Sequence, residues 1–207
     1  MKLLVACEFS QVVTQAFRNE GHEAYSCDIL PTQGNPNWHI QDDVMNHLED
    51  GWDLMIGHPS CQYLCNSGVH LLHKDESRWG ELKKASEFFK SLLNCGIDKI
   101  CIENPIPHRY GELPKYTQII HPWQFGEDAS KSTCLWLKNL PKLIPTNIIK
   151  KERYSNQTPS GQNNLPPGKD RWKIRSRTYQ GIAVAMANQW GNLELITSHN
   201  FREVRRE

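Results

Sequence analysis

The chain has 207 residues, a formal net charge of +1 and 38% hydrophobic residues, which suits one ordinary domain with a single core. No apolar run approaches the roughly 18 residues of a membrane-spanning helix and no signal-peptide pattern opens the chain, so we expect a cytoplasmic protein without a membrane partner. The seven cysteines are odd in number and scattered, which argues against a secreted disulfide framework and favours reduced thiols.

The first half of the chain alternates predicted strands with predicted helices. KLLVA at residues 2–6 predicts a buried strand, CEFSQ a polar turn, and VVTQAFRNEG a helix that Gly21 is placed to end. Further strands are predicted at EAYSCDIL, HIQDDV and DLMIGHP, and an amphipathic helix over residues 77–93 leads to a strand at DKICIENP. This alternation predicts an α/β, Rossmann-like fold with a mostly parallel sheet and helices on both faces.

The second half has a weaker pattern. TQIIHPWQFG and TCLWLKNL predict two more strands, which could form a hairpin at the sheet edge, and GIAVAMANQW predicts a last helix. Residues 145–177 predict a long loop, in which eight basic residues between positions 150 and 177 oppose two acidic ones. This basic segment could steer a polyanion or be a solvated linker. We expect one domain over residues 1–207, with a frayed tail at 198–207.

Polar side chains follow most of the predicted strands. Ligands of open α/β sheets bind outside the carboxyl ends of the strands. On that rule five segments should meet at one rim of the sheet, namely residues 8–11, Asp28, Asp43, residues 58–61 and residues 103–105.

The stretch GHPSCQYLCNSG at residues 57–68 has a cysteine just past a strand end, which could be a packed structural residue, a metal ligand or a nucleophile. Its histidines and cysteines have the spacing Cys-x3-Cys-x4-His-x2-His, which departs from the usual zinc patterns, so we predict no metal. The Pro59 that precedes Cys61 and the IEN on the next strand favour the nucleophile.

PSCQYLCNSG, IENP and the first strand-turn-helix together resemble the DNA (cytosine-5) methyltransferases, most closely a compact phage-type branch. The family's nucleophile motif is Pro-Pro-Cys-Gln followed by Phe-Ser and a Gly, and Pro59, Cys61, Gln62 and Gly68 match it in register. Its Glu-Asn-Val motif is similar to the sequence from Glu103 to Pro105, and QFG followed by KSTCLW is similar to a late segment of the phage members.

The resemblance implies a thiolate that adds to C6 of cytosine, so that C5 can attack the methyl group of S-adenosylmethionine. Cys61 would be that thiol, and Glu103, kept protonated by burial, would donate to N3 of the base. Asn104 would hold the strand end or the loop. Lys131 could replace the arginine of a family motif that is not evident here, or be a surface lysine. Cys65 stands where the family has Ser, and we interpret it as a packing residue.

The resemblance also implies binding residues for the cofactor and the acceptor. Asp28 would bind the ribose hydroxyls and Asp43 the adenine amine, with Asp42 as the competing candidate for the latter. The remaining candidates for cofactor binding are Glu8, Phe9, Ser10 and Pro59. The candidates for acceptor binding are Gln62, Ser67, Arg171 and Arg175, with Tyr154 and Trp172 as possible stacking groups.

Two further departures from the family concern the cofactor and the target. The first loop has no glycine, whereas the family's loop is glycine-rich, and no segment has the size of a separate target-recognition domain. We expect DNA as the acceptor, with RNA or a free cytosine nucleotide as alternatives. The alternative from another class is a non-catalytic binder of nucleotide or nucleic acid, acting as an inhibitor or decoy.

Overall fold

The computed structural model describes residues 1–161, 164, 165 and 167–193. Seven strands form one sheet in the order β3-β2-β1-β4-β5-β7-β6. The strands are β1 (Lys2–Ala6), β2 (Glu23–Cys27), β3 (His39–Ile40), β4 (Leu54–Gly57), β5 (Lys99–Pro105), β6 (Gln118–Ile120) and β7 (Thr133–Lys138). β1 to β5 pair in parallel, whereas β7 runs antiparallel to both β5 and β6. The expected α/β sheet is therefore present, and so is the antiparallel pair near its edge.

The helices cover both faces of the sheet. They are α1 (Val12–Asn19), α2 (Ser77–Asn94), α3 (Arg171–Ser176) and α4 (Gln180–Trp190). α1 and α4 pack together on one face, where Phe17, Met186 and Trp190 are fully buried. α2 covers the other face through Leu82, Phe89 and Leu92. Each face thus buries its own apolar cluster, which is the layered arrangement that a parallel sheet requires.

Two predicted elements differ from the structure. The third strand is only two residues long, because Asp42 and Asp43 turn the chain into the short 3-10 helix Val44–His47. The predicted loop at 145–177 contains helix α3, which has only six residues. The predicted frayed tail at 198–207 lies outside the described residues. Among the described residues, no helix has both the length and the apolar character needed to cross a bilayer.

The strand order reverses between β1 and β4, which lie side by side although the chain runs from β1 to β2. Such a reversal opens a crevice at the carboxyl ends of the two strands, where open α/β sheets bind ligands. The loop after β1 and the loop after β4 flank this crevice. These two loops contain residues that the sequence predicted to bind the cofactor and the cysteine that it predicted as the nucleophile.

Candidate active site

The loop after β1 follows a path that usually needs glycine. Cys7 and Gln11 both have φ of 58°, in the left-handed region that costs a non-glycine residue about 1–2 kcal/mol. The Gln11 side chain donates hydrogen bonds to Ser26 Oγ and Asn35 O, both at 3.0 Å, and accepts one from Asn35 N. These bonds hold the strained turn without a glycine in it.

The carboxylate of Glu8 accepts hydrogen bonds from the start of helix α1. Its carboxylate accepts hydrogen bonds from Val13 N at 2.8 Å and from both N and Oγ1 of Thr14, and the residue is only 4% exposed. It therefore occupies the free backbone donors at the start of the helix. Both carboxylate oxygens are engaged by α1, and the role of Glu8 in cofactor binding stays a prediction.

Phe9 and Ser10 lie beneath a second segment of the chain. The Phe9 ring is buried and contacts the ring of Trp172 on α3, with centroids 5.6 Å apart. The Phe9 carbonyl accepts hydrogen bonds from Gln33 N and Thr32 Oγ1, and the Ser10 hydroxyl donates to Glu8 at 3.4 Å. Helix α3 thus covers the loop that was predicted to contact a cofactor.

Acidic side chains gather at the ends of β2 and β3. Asp28 accepts a hydrogen bond from Leu30 N at 2.9 Å, and Asp43 accepts one from Met45 N at 3.0 Å. Burial raises the pKa of Asp28. Burial also raises the pKa of Cys7 well above its usual range, and the nearby carboxylates of Asp28 and Asp43 add to this effect. This group of carboxylates fits a ligand that carries positive charge and hydroxyl groups, as S-adenosylmethionine does.

Hydrogen bonds to β5 and the segment after it hold the loop that follows β4. Asn104, which is 1% exposed, donates to the Pro59 carbonyl at 3.0 Å. The His108 ring hydrogen-bonds to the Tyr63 carbonyl at 2.7 Å, and Cys65 pairs with Pro107. The structure therefore gives Asn104 a role in fixing the loop, while Pro59 contributes a carbonyl to that contact.

Cys61 lies in this loop as half of a thiol pair with Cys65. The Leu64 and Cys65 backbone N–H groups both donate to the Cys61 carbonyl at 3.1 Å, which closes a tight turn. The contact with Cys65, then burial, then the negative charge of Glu103 raise the pKa of Cys61, and Lys131 opposes them. Cys61 is half-buried, whereas Cys65 is 8% exposed.

Cys65 is buried in the same loop, beside Ser67. Its sulfur is 3.0 Å from the Ser67 hydroxyl. The hydrogen bond from Cys61, and after it those from Ser67 and Gly68, lower the pKa of Cys65 to about 5. The burial of Cys65 agrees with its interpretation as a packing residue. Ser67 contacts this sulfur, and its role in binding the acceptor stays a prediction.

Glu103 lies between two cationic or hydrogen-bonding neighbours. His58 Nδ1 is 3.3 Å from Glu103 Oε2, and Lys131 Nζ is 3.9 Å from Glu103 Oε1. Burial by itself raises the pKa of Glu103, but Lys131 and His58 outweigh it and leave the pKa below its ordinary value. The prediction that burial keeps this carboxyl protonated is wrong, because the sequence did not show which groups surround it.

Lys131 connects the rim to helix α3. Its ammonium group donates to the Arg175 carbonyl at 3.4 Å, and Arg177 on the same segment donates to Gln33 at 2.6 Å. Arg171 and Arg175 belong to α3 and Gln62 is exposed on the loop after β4, so these candidates for acceptor binding border the rim. Their role stays a prediction.

The sequence did not predict a role for His58, and it did not predict the contact of Trp172 with Phe9. His58 directly precedes Pro59 and its side chain is 7% exposed, with a buried Nε2 that has no hydrogen-bond partner. A histidine between a strand end and a motif proline was the available signal. Trp172 was named as a possible stacking group; in the structure its ring meets that of Phe9 at an angle of 52° and is 50% exposed, so its stacking on an acceptor stays a prediction. The other named ring, Tyr154, stacks internally, with its centroid 6.4 Å from that of Trp123.

The chain matches no family model and no curated protein. One similar solved structure is a protein from E. coli named as a DNA modification methyltransferase encoded within a prophage. It has 14% identity over 72% of this chain and 52% of its own, and a TM-score of 0.46. A second is WbdD bound to the kinase inhibitor LY294002, with 13% identity over 70% of this chain and 37% of its own, and a TM-score of 0.36. The chain thus spans about half or less of each, and similarity at this level assigns it no function.

Proposed function

We propose that this chain is an S-adenosylmethionine-dependent methyltransferase that acts at C5 of cytosine in DNA. The observation that supports this most strongly is the cluster of Cys61, Glu103 and Lys131. The charges of Glu103 and Lys131 both act on the Cys61 thiol, so a nucleophilic sulfur and a carboxylate from the ends of neighbouring strands share one site. Addition to a pyrimidine ring needs this pair of groups.

The reaction would begin at the sulfur of Cys61. The Cys61 thiolate forms a bond to C6 of the cytosine ring, and the electron pair of the C5–C6 double bond becomes available at C5. After C5 has been methylated, loss of the C5 proton allows the Cys61–C6 bond to break and restores the ring. Lys131 supports the first step, because its positive charge favours the anionic form of Cys61.

Glu103 would handle the proton at N3 of the ring. In the structure its carboxyl favours the ionised form, so one oxygen can accept a hydrogen bond from the exocyclic amine of cytosine. A flat ring bound against Glu103 excludes water, and desolvation favours the protonated carboxyl. The protonated form can then donate to N3 as negative charge develops on the ring.

Asp28 and Asp43 are the residues that would hold the cofactor. Their carboxylates offer acceptors for the ribose hydroxyls and the adenine amine, and their negative charge suits a cation. When bound, S-adenosylmethionine supplies an electrophilic methyl group on a positively charged sulfur.

A non-catalytic binder is the alternative, and one observation favours it. Glu8 already occupies the backbone donors at the start of α1, so a ligand cannot use them. A protein of this kind would bind S-adenosylmethionine, nucleotide or nucleic acid with saturation and transfer no methyl group.

The test uses cytosine replaced by 5-fluorocytosine, because fluorine at C5 cannot leave and the Cys61–C6 adduct persists. Purified protein is incubated with S-adenosylmethionine and duplex DNA, single-stranded DNA, RNA or the free nucleotide, each containing 5-fluorocytosine. We expect a covalent complex with duplex DNA for the wild type and for the control Cys95→Ser, and none for Cys61→Ser. A complex with another acceptor would correct the substrate, and saturable binding without any adduct would support the binder.

A further inference from the structure

A cavity of about 500 Å³ opens between the segment that precedes β7 and the loop that follows it. Asp128 forms one side of this cavity, and its other lining groups come from residues 153–164, among them Arg153, Tyr154 and Asn164. Cavities of roughly 300–1,000 Å³ are the usual size of sites for small ligands. Neither the nucleophile nor the residues predicted to bind the cofactor line this cavity, so it is separate from the site described above.

The wall of the cavity includes the last ring of an aromatic stack. The His121 and Trp123 rings lie 5.5 Å apart at an interplanar angle of 21°, and the Trp123 and Tyr154 rings lie 6.4 Å apart at 17°. The Tyr154 hydroxyl donates to the Ile149 carbonyl at 3.1 Å, which fixes the orientation of the ring. Because Tyr154 both ends the stack and lines the cavity, a further flat ring can continue the stack there.

The charge that the cavity offers to a ligand is positive. Lys151 Nζ lies 2.7 Å from Asp128 Oδ2, so the carboxylate that lines the cavity is already paired. The Arg153 guanidinium is exposed and has neither a carboxylate nor a hydrogen-bond acceptor among the described residues. A guanidinium is a planar group with five donors, which suits a phosphate. An aromatic ring beside an unpaired guanidinium is the combination that binds a nucleotide.

Hydrogen bonds hold the cavity against the segment that leads to Lys131. Asn156 Nδ2 donates to the Ser130 carbonyl at 2.8 Å, and Asn156 Oδ1 accepts from Ser130 N at 2.9 Å. Ser130 directly precedes Lys131, whose Nζ is 3.9 Å from Glu103 Oε1. Asp128 is three residues from Lys131, so their Cα atoms lie within about 11 Å of each other. A short stretch of an extended strand can therefore reach from the proposed position of the target cytosine to the cavity.

We propose that this cavity binds one unpaired nucleotide of the strand that carries the target cytosine, an inference that rests on the proposed function for the place of that cytosine. The base stacks on the ring of Tyr154, and the guanidinium of Arg153 binds a phosphate of the same strand. A base inside a duplex is covered on both faces, so the bound nucleotide is single-stranded or turned out of the helix. Stacking accepts any base, so the site requires that a base is present and does not select which one.

Binding of short labelled oligonucleotides tests this site without requiring turnover. Fluorescence anisotropy gives the dissociation constant of a single-stranded oligonucleotide with one central cytosine, and of a set in which each other nucleotide in turn is replaced by an abasic one. For the wild type and for Tyr154→Phe, which keeps the ring, we expect one position near the cytosine where this replacement weakens binding by about tenfold. In Tyr154→Leu the same replacement should change the dissociation constant by less than about twofold, because the stacking partner of the base is gone.

Arg153→Met removes the positive charge and leaves the ring, so it provides a second reading if Tyr154→Leu does not fold. The slope of the logarithm of the binding constant against the logarithm of salt concentration should decrease in magnitude by about 0.7 for this variant. The slope should stay unchanged for the control Lys83→Met, which removes an exposed positive charge from α2.

Two outcomes separate the nucleotide site from the proposed function. Equal abasic penalties in the wild type and Tyr154→Leu at every position, with an unchanged salt slope for Arg153→Met, would overturn the nucleotide site even in a protein that transfers methyl groups. A position-specific penalty that depends on Tyr154, in a wild type that methylates no acceptor, would overturn the proposed function and support the nucleotide site.

Discussion

Replacing Lys131 by Met tests the charge arrangement around Glu103. The substitution removes the ammonium group 3.9 Å from Glu103 Oε1 and keeps a side chain of similar length. Two unit charges at this distance attract by about 4 kcal/mol at an effective dielectric constant near 20. The Lys131 and Glu103 side chains are 30% and 16% exposed, so solvent weakens the attraction. We therefore expect Lys131→Met to lower the free energy of unfolding by about 2 kcal/mol at pH 7.

The loss should depend on pH with a definite sign. The folded-state pKa of Glu103 is below its ordinary value, so its pairing stabilises the wild type above the unfolded pKa of about 4.3, and this contribution disappears as pH falls through the folded pKa. Without Lys131, burial is opposed only by His58 and the folded pKa rises. Protonation removes the buried, unpaired charge of this carboxyl. The difference in free energy of unfolding between Lys131→Met and the wild type should therefore shrink toward pH 4.5.

Urea unfolding at pH 7 and pH 4.5 measures this effect in the wild type, Lys131→Met, Glu103→Gln and the double variant. At pH 7 the free energy of unfolding of the double variant should be only slightly lower than that of Glu103→Gln alone, because in Glu103→Gln Lys131 no longer has a carboxylate to pair with. Lys84→Met, which removes an exposed lysine from the surface pair with Glu81, is the control and should leave the free energy of unfolding nearly unchanged. An equal loss for Lys131→Met at both pH values would refute the ion pair as the cause.

Four further substitutions test the same site. Cys61→Ser should abolish methyl transfer and change the cofactor dissociation constant by less than about threefold in calorimetry, whereas Asp28→Asn should weaken cofactor binding by about tenfold or more. His58→Gln should raise the pKa of Glu103, so the limb of the pH–rate profile that reports this carboxyl should move to higher pH, and an unmoved limb would show that His58 does not act on it. Asn104→Ala leaves a buried carbonyl without its donor, so it should lower the free energy of unfolding by about 1–3 kcal/mol in urea titrations, and a smaller loss would mean that solvent reaches this contact.

Much of the fold could be predicted because its signals are local. The apolar runs of β1, β4 and β5 and the helical spacing of α2 depend only on residues near one another in the chain. Helix α3 was missed because it has six residues and no apolar face of its own. It is held by contacts to distant parts of the chain, notably that of Trp172 with Phe9, which sequence spacing does not reveal.

The candidate site was predictable as a set of residues but not as a set of protonation states. The rule that strand ends meet at one rim is enough to predict that Cys61 and Glu103 lie close together. It could not show that His58 and Lys131 flank Glu103, nor that Cys65 faces Cys61, because a pKa depends on neighbours within a few ångströms. Glu8 shows the same limit, since its position after β1 suggested a ligand contact although its carboxylate caps α1.

The sequence by itself determined the order of strands and helices, the two-sided burial of the sheet and the residues that could reach its rim, because these follow from periodicity and chain direction. Only the tertiary structure decided how the rim is charged. Burial raises the pKa of Glu103 there, but Lys131 and His58 bring it below its ordinary value, and these groups come from segments far apart in the chain.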